Sequence, residues 1–350
     1  MNESNYKKFR GVGLPNDQIS ALQDIERHIT MFKKFDLSQG DDEQGVYPQY
    51  FTIKNCIVHE IKIDMGGLEK LPDSIGDLTS LEILNLSTNY FDSIPNSIGK
   101  LVNLKELTIS GNNLSTLPNT IGKLTNLKKL DLSKNHWELS TLPEEIGDLG
   151  RLEYLDLTGN NLVNLPSSIS NLSSLTHLYL DSCDLTSIPE RIGDLKSLKH
   201  LGLSRNELES LPDSFFDLNS IETLNLSVNP LHILSESIGK LTSLKELDIS
   251  LVKLTSLPSS MIHLDRLEKL NIELNPILKD QEGWGVVPKL KSKGVEILMS
   301  DDSYYRNIRR THLFKLEPDS ICSYCGSGNL NTDGISYWKC PDCGSDITKG

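Results

Sequence analysis

The amino-acid sequence predicts an α/β fold in the form of a solenoid, a curved parallel sheet of about ten strands with short helices on its convex side. Two observations support this prediction: one motif recurs at a nearly constant interval, and apolar residues alternate inside each copy. A third observation, two close pairs of cysteines near the C-terminal end, predicts a small metal-binding tail. A chain of 350 residues is long for one compact core, which agrees with a repeat architecture.

The repeat is visible as a Leu-Pro or Ile-Pro dipeptide that returns along the chain. Its copies begin at Leu71, Ile94, Leu117, Leu142, Leu165, Ile188, Leu211, Leu234 (followed by Ser235) and Leu257. Seven of the eight steps are 23 residues and one is 25. Between the dipeptides runs the pattern Leu-x-x-Leu-x-Leu-x-x-Asn, first complete at Leu81 and degenerate at Val58. Together these patterns define ten repeats, numbered here in chain order.

Each repeat is expected to contribute one strand, because alternate residues of a strand point to opposite faces. Leu84 and Leu86 are predicted to face the core, whereas Asn85 faces outward. The segment from Leu-Pro to Ile-Gly-x-Leu then returns the chain along the outer face in a short helix. Pro72 suits the first turn of that helix, where a missing N–H costs nothing.

Asparagine ends the motif in seven repeats and forms a column along the predicted solenoid. The column consists of Asn89, Asn112, Asn135, Asn160, Asn206, Asn229 and Asn275. Buried backbone N–H and C=O groups must be paired, and an amide side chain supplies both a donor and an acceptor. The column therefore predicts hydrogen bonds that close each bend. Gly66, Cys183 and Val252 interrupt the column, and we expect less regular bends in the first and ninth repeats.

Through these motifs, residues 58–298 resemble leucine-rich repeat proteins of the 23-residue Leu-Pro-x-x-Ile-Gly type. The resemblance implies a non-catalytic scaffold for protein–protein interaction that binds its partner on the concave face of the repeats. Some intracellular proteins of this type bind Ras-like GTPases, so the implied partner is a protein, for example a signalling protein such as a small GTPase. The family tolerates cysteine in the asparagine column, which implies a structural role for Cys183.

The cysteine pairs Cys322-x-x-Cys325 and Cys340-x-x-Cys343 are separated by 14 residues. Two such turns can bring four thiolates around one tetrahedral ion, and four sulfur ligands leave no open position for catalysis. The tail resembles zinc ribbons, which implies one structural Zn²⁺. The second pair also resembles rubredoxin-like domains, which hold iron, and zinc is favoured over iron. Two disulfides are the alternative, which a reducing intracellular environment disfavours.

These signals divide the chain into four segments, because a solenoid needs covers on its terminal repeats. The first segment carries a helix predicted over residues 16–35, and residues 51–57 are expected to lead into the first strand. The segments are 1–57 (N-terminal helical cap and lead-in), 58–298 (leucine-rich repeat solenoid with a C-terminal closing strand), 299–319 (connector) and 320–350 (zinc ribbon).

The composition favours a protein partner over nucleic acid or a membrane. The formal net charge is −13, whereas binding to polyanions or acidic lipids needs a basic surface. No secretory signal and no membrane-spanning apolar run are visible, so we expect a cytoplasmic protein, and we expect a monomer. The alternative is a nucleic-acid-associated regulatory factor acting through the zinc ribbon and the basic residues Arg306, Arg309, Arg310 and Lys315. Strong retention on heparin would favour that alternative.

No enzyme signature is present among the motifs of phosphate binding, zinc proteolysis or the nucleophile elbow, and we predict that the protein is not an enzyme. Asp131, Asp156, Asp181 and Asp248 line the predicted sheet face, where neighbouring carboxylates can form an acid/base pair. Since the repeat itself places a polar residue at such positions, a solvated ladder is the favoured interpretation.

The predicted partner site lies in the fifth to seventh repeats, where the outward residues change from small or charged to aromatic. It comprises Tyr154, His177, Tyr179 and His200, flanked by Asp156 and Asp181. Tyrosine is enriched among binding hot spots because it buries a large area with few rotors to freeze. The alternative is that these rings only stack on one another across strands. Trp137, beside the two extra residues of the longer repeat, is the second choice for the site.

Overall fold

The computed structural model describes residues 6–9, 12–28, 49–54, 57–64, 66–136, 138–276 and 285–300, and strand residues 331–332, 338–339 and 346–347. The chain divides into two compact units, Met1–Met299 and Ser300–Gly350. In the described part of the second unit, the strands β15 (Asn331–Thr332), β16 (Trp338–Lys339) and β17 (Asp346–Ile347) form an antiparallel sheet. The first unit contains the repeats.

The repeats form a parallel sheet with one strand each, as the sequence predicts. The strands are β4 (Ile57–Ile63), β5 (Ile83–Asn85), β6 (Glu106–Thr108), β7 (Lys129–Asp131), β8 (Tyr154–Asp156), β9 (His177–Tyr179), β10 (His200–Gly202), β11 (Thr223–Asn225), β12 (Glu246–Asp248) and β13 (Lys269–Asn271). Equivalent residues pair in register, so that Leu84 lies beside Leu107 and Leu107 beside Leu130. All three leucines are fully buried, and the core is therefore a stack of equivalent leucines.

The sheet has twelve strands because each end gains one. At the C-terminal end, β14 (Glu296–Leu298) pairs parallel with β13, as the predicted closing strand requires. It follows α2 (Val286–Ser292), which buries Val286, Val287 and Leu290. At the N-terminal end, β3 (Gln49–Lys54) pairs antiparallel with β4. Residues 51–54 of the predicted lead-in thus belong to an additional strand, which pairs backbone groups that an open first strand would leave unpaired along its edge.

The N-terminal cap contains more than the predicted helix. A hairpin of β1 (Tyr6–Phe9) and β2 (Val12–Pro15), absent from the sequence-based prediction, precedes helix α1 (Asn16–His28). The part of the predicted helix beyond residue 28 lies outside the described residues. Helix α1 buries Ile19, Leu22 and Ile25, and the Gln18 Oε1 atom accepts a hydrogen bond from the Val58 N–H at 3.0 Å. The buried amide thereby satisfies a backbone group of the first repeat.

The return segments on the convex side are 3₁₀ helices. They span Asp73–Asp77, Asn96–Lys100, Asn119–Lys123, Glu144–Asp148, Ser167–Asn171, Ile192–Asp194, Asp213–Asp217, Glu236–Lys240 and Ser259–His263. Pro72 precedes its helix in an extended conformation instead of occupying the first turn as predicted. Its carbonyl oxygen accepts the Ile75 N–H at 3.0 Å, so the proline caps the short helix through its backbone.

Glycines on the convex side allow neighbouring 3₁₀ helices to approach closely. A Cβ atom at Gly193 would lie 2.0 Å from the Ser214 carbonyl oxygen, and one at Gly147 would lie 2.5 Å from the Ser168 carbonyl oxygen. Both distances are far below van der Waals contact. At these two positions the glycine is therefore required by the repeat that follows it, whereas Ser170, Phe216 and Ile262 stand at the equivalent position of other repeats.

The asparagine column lies buried in the bends and links adjacent repeats. Asn206 accepts hydrogen bonds from the N–H groups of Cys183 (3.1 Å) and Leu185 (2.9 Å) in the preceding repeat. Its Nδ2 atom donates to the carbonyl oxygens of Leu180 (2.8 Å) and Leu203 (2.9 Å). One side chain thus satisfies backbone groups on both sides of the boundary between two repeats.

Cys183 takes the place of an asparagine in this column. Its side chain is fully buried, and the Sγ atom donates to the Leu157 carbonyl oxygen at 3.1 Å. Burial raises the pKa of the Cys183 thiol to about 12, so the group remains a protonated donor at neutral pH. The structural role predicted for Cys183 is confirmed.

We expect Gly193→Ala to destabilise the protein by about 1–3 kcal/mol, because the added methyl group must displace the backbone of the next repeat. Gly150→Ala is the matched control, since a Cβ atom there meets nothing within 4 Å. Urea unfolding of both variants measures the difference. Equal stabilities would show that the close approach on the convex side is not a constraint.

We expect Asn206→Ala to lower the free energy of unfolding by more than about 3 kcal/mol, because it leaves several buried backbone groups unpaired. Asn164→Ala, which alters an exposed asparagine, is expected to change stability by less than about 0.5 kcal/mol. Thermal unfolding of the two variants tests this. A small loss for Asn206→Ala would contradict the role of the column.

Candidate functional site

The four aromatic residues predicted to bind a partner lie together on the concave face of strands β8, β9 and β10. We call Tyr154, His177, Tyr179 and His200 the aromatic patch. Tyr154, His177 and His200 are lateral neighbours in the sheet. The imidazole rings of His177 and His200 stack at 4.4 Å, and the Tyr154 ring lies 5.8 Å from His177 and 5.6 Å from Tyr179. All four side chains are half-buried, so the rings contact one another and also remain open to a partner.

Polar neighbours orient the rings of the patch. The His177 Nδ1 atom lies 2.8 Å from the Thr176 Oγ1 atom, and His200 Nδ1 lies 2.8 Å from Thr223 Oγ1. The Lys129 ammonium group lies 5.2 Å from the centre of the Tyr154 ring, within the range of a cation–π contact. The patch is therefore held in place from β7 on one side and from β11 on the other.

The electrostatics of the patch keep Tyr154, Tyr179 and His177 uncharged at neutral pH. Burial, followed by the Asp156 charge, raises the pKa of both Tyr154 and Tyr179, so both phenols stay protonated and can donate hydrogen bonds. Burial lowers the pKa of His177, and the neighbouring His200 and Lys199 lower it further. The imidazole of His177 is therefore neutral at pH 7.

The carboxylates along the sheet face act as local caps. Asp131 Oδ1 accepts the Ser133 N–H at 3.0 Å, and Asp156 Oδ1 accepts the Thr158 N–H at 2.9 Å. Burial raises the pKa of Asp156, and the hydrogen bonds from Thr158 oppose that shift. Through these contacts the aspartates stabilise the turns that follow their strands. The contacts therefore favour the interpretation of the row as a ladder of polar side chains over its interpretation as an acid/base pair.

Gly202 interrupts that row, and Asp181 compensates for it. Asn225 and Asp248, at the position equivalent to Gly202, each accept the N–H two residues ahead in their own repeat. In the seventh repeat the Ser204 N–H donates instead to Asp181 Oδ1 of the preceding repeat, at 2.8 Å. Asp181, which the sequence predicts to flank the partner site, therefore reaches across a repeat boundary.

The missing side chain at Gly202 opens a depression that we call the Gly202 groove. It crosses β10 and β11, has a volume of about 370 Å³, and its walls include Tyr179, Asp181, Glu246, Asp248 and Lys269. The sequence-based prediction missed this groove. In the sequence, the groove is indicated by a single glycine among the polar residues of the outward row. The shape of the groove also depends on the direction of the Asp181 side chain, which the sequence does not give.

Several predicted site residues lie outside the described part of the chain. They are Trp137, Cys322, Cys325, Cys340 and Cys343, and the basic residues Arg306, Arg309, Arg310 and Lys315. Within the described residues, no group of three or more His, Cys, Asp or Glu side chains is arranged to hold a metal ion. None of the described helices has the length and apolar character of a membrane-spanning segment.

A family model described as a leucine-rich repeat region matches residues 61–138, 130–201 and 177–290. These matches cover most of the chain, and the protein belongs to the leucine-rich repeat family. Leucine-rich repeat domains generally mediate protein–protein interactions and are typically non-enzymatic. No curated protein sequence matches the chain.

Solved structures share the fold. The chain is similar to one from the PEPR1–AtPEP1 structure, with 26% identity, a TM-score of 0.59, and coverage of 81% of this chain and 41% of that one. InlJ from Listeria monocytogenes matches at 18% identity and a TM-score of 0.50, over 69% of this chain and 53% of that one. A leucine-rich repeat protein of Leptospira interrogans matches at 27% identity and a TM-score of 0.43, covering 66% and 81%.

Proposed function

We propose that the protein is a non-catalytic scaffold that binds a partner protein through the aromatic patch on the concave face of its repeats. The observation that carries the proposal is the clustering of four half-buried rings, two of them tyrosines, in three adjacent strands. Rings that already pack on one another lose little conformational freedom when a partner covers them, which favours binding.

The neighbouring repeats explain why binding would centre on this patch. The equivalent outward positions of β6 and β12 carry Glu106 and Glu246, which are exposed. Long charged side chains lose more rotamer entropy on burial than tyrosine does, and they must also be desolvated. The patch is therefore the part of the central concave face that a partner can cover at the lowest cost.

We expect the double substitution Tyr154→Ala with Tyr179→Ala to weaken partner binding by about 2 kcal/mol or more, roughly 30-fold. The partner is first captured from native cell extract on the unaltered protein, and its affinity for each variant is then measured by calorimetry. Tyr90→Ala is the matched control, because Tyr90 is 48% exposed and lies outside the patch. Unchanged affinity of the double variant would move the binding site elsewhere.

We further propose that the tail binds one structural zinc ion through Cys322, Cys325, Cys340 and Cys343. Four thiolates are a complete tetrahedral ligand set for zinc. The topology supports the proposal, because β16 and β17 pair antiparallel and the segment that connects them contains the second cysteine pair. A tail of this size has a small apolar core, so metal binding would supply much of its folding energy.

We expect elemental analysis to find one zinc per chain, and Cys322→Ser or Cys343→Ser to release it, because three remaining sulfur ligands hold the ion less tightly. Cys183→Ser is the control: Cys183 is buried in the solenoid, so that variant should retain its zinc. A metal-free chain whose tail is still folded would contradict the proposed site.

A further inference from the structure

We propose that the Gly202 groove receives an arginine side chain of the partner protein. This inference rests on the proposed function, since it names the chemistry by which a partner would be recognised next to the aromatic patch. The groove shares Tyr179 with the patch and continues the concave face from β10 towards β13. A partner segment that covers the rings would therefore also pass over the groove.

The floor of the groove is formed by the sheet, where the edges of three core leucines reach the surface. Leu201, Leu224 and Leu247 line it and are 2–3% exposed, whereas equivalent leucines of β5 to β9 are fully buried. Gly202 contributes no side chain of its own to cover the sheet at that point, and Asp181 Oδ2 occupies only part of that space. The aliphatic stem of a long basic side chain can lie against such a floor while its charged end reaches polar groups.

The walls of the groove match a cation. Three carboxylates, Asp181, Glu246 and Asp248, face one lysine, Lys269, so the formal charge of the walls is −2. The whole chain carries −13, which attracts basic segments from a distance. The groove therefore combines an apolar floor with a negative field at one place on the concave face.

Asp181 offers a carboxylate oxygen that is already directed into the groove. Its Oδ1 atom is held by the Ser204 N–H at 2.8 Å and by the Ser204 hydroxyl at 2.5 Å. Its Oδ2 atom lies 2.1 Å from the point that a Cβ atom of residue 202 would occupy. That oxygen is fixed in position, fills part of the space above Gly202, and accepts no hydrogen bond from another described residue.

Arginine fits these walls better than lysine does. Its planar guanidinium can stack on the Tyr179 ring while its N–H groups reach the Asp181 Oδ2 atom. The Asp248 Oδ2 atom already accepts the Asn271 amide at 3.0 Å and offers a second, shared acceptor. The N–H donors of a guanidinium group lie in a fixed plane, so the group can bind two separated acceptors and stack on one aromatic ring at the same time. The ammonium group of lysine acts as a single point charge.

The probe for this proposal is the short peptide acetyl-Gly-Arg-Gly-amide, titrated into the full chain with ¹³C-labelled leucine methyl groups. Leu201, Leu224 and Leu247 line the groove, so their methyl signals report its occupation directly. We expect saturable shifts of these signals. The same peptide with citrulline in place of arginine keeps the shape but loses the charge, and we expect it to cause no saturable shift.

Two variants test the site, and each preserves the cap on Ser204. Gly202→Asn displaces the Asp181 carboxylate, fills the groove, and supplies Ser204 with its own side-chain acceptor, as Asn225 does for Ser227 in the next repeat. Asp181→Asn removes the charge but keeps an amide oxygen for Ser204. We expect each to weaken binding of the arginine peptide at least about tenfold. Asp131→Asn, which alters an equivalent cap on β7 away from the groove, is the control and should bind as before.

The outcomes separate this proposal from the proposed function. Equal shifts with the citrulline peptide, no saturable shift with either peptide, or full binding by a folded Gly202→Asn variant would overturn the arginine site. Tyr154→Ala tests the patch alone, because Tyr154 does not line the groove. If Tyr154→Ala weakens partner binding while Gly202→Asn does not, the scaffold function stands and the arginine site is wrong.

Discussion

The hydrogen bonds of the buried asparagine column are the interaction on which the rest of the structure depends. Each bend of a repeat places backbone N–H and C=O groups in an apolar core, where an unpaired group costs about 1–3 kcal/mol. One amide satisfies such groups in two adjacent repeats at once, as Asn112 does for the Phe91 N–H of the preceding repeat and the Ile109 carbonyl of its own repeat. The column therefore fixes the spacing and the register of the repeats on the side where their bends meet.

The convex side is constrained by close contact, together with hydrogen bonds between neighbouring 3₁₀ helices, such as those from the Ser259 and Ser260 N–H groups to the Glu236 carboxylate. Glycine at Gly193 and its equivalents lets one 3₁₀ helix rest against the backbone of the next. In most repeats asparagine holds the bends and glycine allows the close approach of the helices, and between these two sides the strands pair in register. The outward residues of the strands belong to neither column, although several of them cap the N–H group two residues ahead, and they vary from repeat to repeat.

Both candidate binding features arise from that freedom. The aromatic patch exists because three adjacent strands carry rings at equivalent positions, and in-register pairing brings neighbouring rings to 5.8 Å (Tyr154 and His177) and 4.4 Å (His177 and His200). The Gly202 groove exists because one repeat lacks the capping side chain and its neighbour supplies it through Asp181. In both cases the scaffold stays regular, and the chemistry lies in how one repeat differs from the next.

The sequence by itself determined the repeat, its strands, the buried leucines, the asparagine column and the row that carries the aromatic patch. It could do so because a residue 23 positions away is a neighbour in space, so a linear pattern maps directly onto contacts. Only the tertiary structure decided that β3 pairs antiparallel with β4, that Pro72 lies outside its helix, and that Asp181 reaches over Gly202. These features depend on contacts between residues that occupy different positions in their repeats and on the directions of side chains. The period of the repeat determines neither.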